Sequence, residues 1–97
     1  MTFEYPIAGR TTHQLMSAIA SALRFPDYFG YNLDALYDCL TDLSWLPDGD
    51  YVLVWQDPGA LRAADGPAYD AIATVLADAV ADGTSGGAHL SVRFQTD

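Results

Sequence analysis

Lysine is missing altogether. The 97 residues carry four arginines as their only strong cations, against thirteen acids of which twelve are aspartate, and the formal net charge is −9. A field of that sign repels nucleic-acid phosphates and anionic membrane surfaces and speeds encounter with basic partners. Neither nucleic acid nor membrane is therefore expected as a ligand. Cys39 is the only cysteine, so an internal disulfide is impossible. No apolar run approaches bilayer-spanning length, and Met1-Thr2-Phe3-Glu4 has neither the basic region nor the apolar core of a secretory signal. Together these absences point to a cytoplasmic protein. Also missing are a glycine-rich phosphate loop with its lysine, a Cys-x-x-Cys pair and a histidine pair at metal spacing. The expectation is a non-enzyme without cofactor or resident metal.

What is present is enough apolar residue, 51%, to build one core, and the length suits a single domain over residues 1–97. Thr2 to Ala8 reads as a strand, with Pro6 either placing it at an edge or ending it early. Thr11 and Gln14 form a capping-box pattern ahead of Leu15, Ile19 and Leu23, which recur at helical spacing. Pro26 and Gly30 make the next segment a loop, and Asn32 caps a second helix to about Leu43. Pro47, Asp48 and Gly49 then break the chain, with the Leu46–Pro47 isomer left open by sequence. Tyr51 to Trp55, YVLVW, suits a strand covered on both faces. Asp57 to Gly66 reads as loop with one turn around Ala60 to Ala64. Pro67 and Gly83 bracket a third helix, with an apolar face of Ile72, Val75, Leu76, Ala79 and Val80. Along His89 to Phe94, Leu90, Val92 and Phe94 alternate with His89, Ser91 and Arg93. Strands separated by helices favour parallel pairing. The fold class is α/β: a small three-stranded parallel sheet packed by three to four helices.

The second helix holds the informative pattern. On a wheel of about 100° per residue, Leu33, Leu36, Tyr37, Leu40 and Leu43 share a core-facing arc, with Asp34, Asp38 and Asp42 nearly opposite. Like charges four residues apart repel by a few tenths of a kcal/mol per pair. Asp42, in the last turn, also faces the negative end of the helix dipole. A face shaped only for solubility would mix in basic residues, and none is present. The stripe therefore points to a cationic partner. Tyr28, Phe29 and Tyr31 place aromatic mass beside it, with Phe29 the best placed of them for burial; exposed tyrosine beside charge is enriched at interface centres. Asp78 adds a carboxylate midway along the last helix, and its position relative to the stripe depends on the fold. Asp70, Asp82 and the remaining acids read as solvated, His13 and His89 as surface residues, and Cys39 as a packing residue.

The segment Phe25-Pro26-Asp27-Tyr28-Phe29-Gly30-Tyr31-Asn32-Leu33-Asp34-Ala35-Leu36-Tyr37-Asp38-Cys39-Leu40-Thr41 resembles the signature of barstar-like ribonuclease inhibitors. The flanking parts match more loosely, in length and in the order of strands and helices. The resemblance implies a 1:1 plug for the active site of a secreted guanyl-specific ribonuclease, formed by the second helix and the loop before it. It implies that Asp38 stands in for a substrate phosphate, with Asp34 meeting a second basic group at the rim. Tyr28 would pack on the enzyme's catalytic histidine, and Gly30 and Asn32 would offer close backbone and amide contacts. Tyr37 and Thr41 would border the contact, and Asp78 would be an outlying acidic one. Phe29, Leu33 and Asp42 complete the partner-binding set. Tyr37 stands where the pattern often has Trp, and Phe29 where it often has Tyr. Asp42 and Leu43 stand where the best-known member has Gly and Trp, which bears on the choice of enzyme. The alternative on the same fold is an immunity or antitoxin protein against a different toxin nuclease.

Overall fold

The computed structural model describes residues 1–96. The chain runs β1 (Thr2–Ile7), α1 (Thr12–Ala22), α2 (Leu33–Asp42), β2 (Gly49–Gln56), α3 (Pro58–Ala64), α4 (Gly66–Asp82) and β3 (Ala88–Gln95). The strands form one parallel sheet in the order β1-β2-β3. The α/β architecture expected from the alternation of patterns is the one adopted.

Local chemistry sets the helix ends. Thr11 Oγ1 accepts the Gln14 amide at 3.1 Å and so caps α1. The Gln14 side chain accepts from the Arg10 amide at 3.0 Å rather than from Thr11, so the reciprocal half of the capping box is displaced by one residue. Asn32 Oδ1 caps α2 by accepting the Ala35 amide at 2.8 Å. Leu43 ends that helix in the left-handed region, φ 50°, while its side chain is buried. Gly83, at φ 78°, ends α4.

Two expectations need correcting. The segment after β2 is not loop with a single turn but the seven-residue helix α3. Pro58 at its N-terminus presets the backbone, alanines favour the helix, and fully buried Leu61 pins it to the core. The second correction concerns β2. Tyr51, Leu53 and Trp55 face the helices and are buried in one core with Ile7, Leu15, Ile19, Leu36, Leu40, Ile72, Leu76 and Leu90. Val52 and Val54 point to the other face, outside that core. Val54 is only 6% exposed because its register partners Pro6 and Arg93 flank it. The apolar run is thus shielded by a helix layer on one face and by neighbouring side chains on the other.

The edge position of β1 explains how Pro6 is tolerated. On β3, Leu90 is buried, Val92 half-buried and Phe94 51% exposed, so core contact fades toward the strand end. Among the described residues no peptide bond is cis, which settles Leu46–Pro47 as trans. The Pro47 carbonyl accepts a hydrogen bond from the buried Tyr51 hydroxyl at 2.7 Å.

Candidate functional site

The loop of residues 24–32 and helix α2 are fixed from beneath by aromatic packing. Phe29, 7% exposed, points inward. It meets Phe25 edge-on with centroids 4.9 Å apart, and Phe25 meets Trp45 at 6.1 Å. Trp45 Nε1 donates to the Leu23 carbonyl at 2.8 Å, which ties this stack to the end of α1. On the outer side Phe29 touches Tyr31 at 4.8 Å, and Tyr31 stacks on His13 at 4.7 Å. Tyr31 has a left-handed backbone, φ 52°, a conformation disfavoured for a bulky residue and held here by its two aromatic neighbours. Phe29 therefore supports the loop from within, with little of its ring left at the surface. Tyr28, at 77% exposed, is the aromatic the loop presents most openly, with Tyr31 44% exposed beside it.

Helix α2 is anchored through Leu36, Cys39 and Leu40, with Leu43 buried just beyond it. The core arc is rotated from expectation. Leu33 is 37% exposed, because the first turn projects beyond the core together with exposed Tyr31, Asn32 and Asp34. Asp34 and Asp38 are exposed and Asp42 half-buried. Gly30 is exposed, and a Cβ added there would lie 3.0 Å from the side-chain Nδ2 of Asn32. The Thr41 hydroxyl donates to the Tyr37 carbonyl of its own helix at 2.9 Å, so it is already engaged within α2.

Helix α4 packs against α2 and completes the face. The Tyr37 hydroxyl donates to the Asp82 carboxylate. One turn further along, the Ser85 amide donates to the Thr41 carbonyl at 3.1 Å. These two ties show that the helices run in the same sense, so their C-terminal ends, each partially negative, lie side by side. Neither helix has a basic residue in its last turn. The Tyr37 phenol is held above its ordinary pKa, first by the hydrogen bond to Asp82, then by burial, and then by the charges of Asp82, Asp78 and Asp38. Asp78, exposed on α4, is therefore near enough to Tyr37 at the α2–α4 seam to act on it, a proximity the sequence left open. Asp82, read as merely solvated, is corrected to a partner of Tyr37. His13, read as a plain surface residue, is exposed but buttresses the site loop. For Asp82 the available signal was its spacing of four from Asp78; nothing in the sequence marked His13.

The face is electrostatically uncompensated. Among the described residues one ion pair forms, Arg93 with Glu4 at 2.7 Å on the sheet, and none of the stripe carboxylates is part of it. Among the described residues no three His, Cys, Asp or Glu side chains form a group able to hold a metal ion. Burial, and secondarily Asp38 and Asp42, push the Cys39 thiol up, which disfavours the reactive thiolate. Cys39 is a packing residue. No helix among the described residues is long and apolar enough to cross a membrane.

The family model described as Barstar (barnase inhibitor) matches residues 8–95, nearly the whole chain. The chain belongs to that family, one of inhibitors of barnase-type ribonucleases and related immunity proteins. Comparison with curated proteins gives no match.

Proposed function

We propose that this member of the barstar family is an intracellular, cytoplasmic inhibitor of a secreted guanyl-specific ribonuclease. It acts as a single domain, without turnover, by filling the enzyme's active site 1:1 with α2 and the loop before it. The observation that carries this reading is the row Asp34 and Asp38, exposed and unpaired, flanked by the outward Tyr28. A site that binds RNA phosphates must present cations, and a carboxylate can occupy a phosphate's place among them. Asp38, at mid-helix, is the phosphate mimic, Asp34 engages a basic group at the rim, and Asp78 adds an outlying contact. Tyr28 stacks over the enzyme's catalytic histidine, with Gly30 and Asn32 beneath it. Such contacts exclude substrate both sterically and by satisfying the enzyme's positive charges.

The test is RNA cleavage by a panel of microbial guanyl-specific ribonucleases in the presence of this protein. Stoichiometric loss of cleavage for at least one enzyme is the expected result. Unimpaired cleavage by every member at micromolar inhibitor would overturn this reading in favour of an immunity protein directed at a different nuclease.

A further inference from the structure

We propose that Asp82 is a positioning residue: by accepting the Tyr37 hydroxyl it straps α2 to α4, so that Asp34, Asp38 and Asp78 meet a partner as one preset face. The inference rests on the inhibitor reading for the identity of that partner, but the strap itself is a property of the free protein.

Leu36 and Leu40 hold α2 to the core from beneath, whereas Asp34 and Asp38 lie exposed on the far side. A helix held only along its buried edge can roll. A carboxylate carried about 5–6 Å from the helix axis moves about 1 Å for a roll of about 10°, enough to spoil a bidentate contact with a guanidinium. The Tyr37 phenol projects sideways across the α2–α4 seam and finds Asp82 there. Asp82 is the last residue of α4, where the helix dipole disfavours an acid and no basic residue offsets it. Local energetics therefore do not account for a carboxylate at this position; the phenol it receives does. The other tie at this seam, from the Ser85 amide to the Thr41 carbonyl, is made by backbone atoms and clamps the far end of the same helix. The two ties bracket one helical turn. Holding that turn fixed before binding removes the ordering cost otherwise met in the complex.

The experiment compares Tyr37→Phe, Asp82→Ala, Asp82→Asn and the double variant Tyr37→Phe/Asp82→Ala with the wild type. Dissociation from a barnase-type ribonuclease and amide hydrogen exchange of residues 33–42 in the free protein are followed in each. Loss of the strap is expected to speed dissociation by about three- to tenfold in Tyr37→Phe and in Asp82→Ala. The double variant is expected to lose no more than either. Asp82→Asn, which keeps an acceptor oxygen but no charge, is expected to retain most of the wild-type residence time. Tyr37→Phe removes no charge and should leave the salt dependence of association as in the wild type. In the free protein, exchange should rise in Tyr37→Phe and Asp82→Ala and stay low in Asp82→Asn. A neutral Tyr37→Phe, additive losses, or an Asp82→Asn as impaired as Asp82→Ala would each overturn the proposal, the last making Asp82 a direct charge contact. If the wild type binds no ribonuclease, the inhibitor reading fails, and the exchange data decide the strap: unchanged exchange in all variants overturns it, raised exchange in the two strap-breaking variants sustains it.

Discussion

Two regions of this molecule carry exposed carboxylates and treat them in opposite ways. On the open face of the sheet, Glu4 of β1 is paired with Arg93 of β3 at 2.7 Å, the two side chains reaching across the central strand beside Val54. On the face made by α2 and α4, Asp34, Asp38 and Asp78 form no ion pair among the described residues; Asp34 lies in the first turn of α2, and neither helix carries a basic residue in its last turn. The chain has only four arginines, and it places none against the stripe. One region is neutralised as it folds; the other keeps its charge unpaired among the described residues. On the proposed function that unpaired charge is the binding element, whereas the same charge neutralised in place is structure.

The comparison can be broken most forcefully at Asp38. On the proposed function, Asp38→Ala leaves desolvated cations of the enzyme unpaired, a loss of roughly 3–5 kcal/mol, seen mainly as faster dissociation in surface-binding kinetics. Loss of less than tenfold would mean that the stripe is not the contact. Next in size is salt. Raising ionic strength from low to about 0.5 M shortens the screening length to under 5 Å, and stopped-flow association should slow by at least about tenfold, while the stability of the free protein changes little. A third test sharpens the contrast through pH. The folded state holds the Tyr37 proton more tightly than the unfolded chain does. The associated stabilisation is therefore fully present below the ordinary phenol value of roughly 10 and is lost as pH rises through the higher folded value. The difference in urea midpoint between wild type and Tyr37→Phe should shrink above that point and hold steady below it. The smallest effect belongs to the paired region. Arg93→Ala should cost at most about 1 kcal/mol in urea unfolding, because the ion pair is half-exposed, and should leave ribonuclease inhibition intact.

What could be read in advance was the chemistry that repeats along the chain. Asn32 as a cap, Leu36 and Leu40 as anchors and Asp34 and Asp38 as an outward row all follow from positions within one helix, and each is where the periodicity puts it. The barstar-type segment from Phe25 to Thr41 carried the family membership, which the match over residues 8–95 establishes. What could not be read depended on partners distant in sequence. Phe29 turns inward as its sequence position suggested, but the Phe25 and Trp45 rings that line up beneath it do not show in the sequence, and Leu33 is left out of the core because the first turn of α2 overshoots it. Asp82 gains its role from a phenol forty-five residues away. The helix at Pro58 was hidden because its short alanine-rich stretch has little periodicity, and only Pro58 and Leu61 of it are buried.

The aromatic ladder beneath the loop has an optical consequence. Of the two indoles, Trp45 stands at the foot of a file that continues through Phe25, Phe29 and Tyr31 to His13 at the rim. Trp55 is sealed in the interior between Tyr69 and Phe94, its N–H without a hydrogen-bond partner among the described residues. The molecule thus carries two intrinsic fluorophores in different surroundings; on the proposed function, occupancy of the loop is expected to move the Trp45 emission and leave that of Trp55, whereas unfolding changes both.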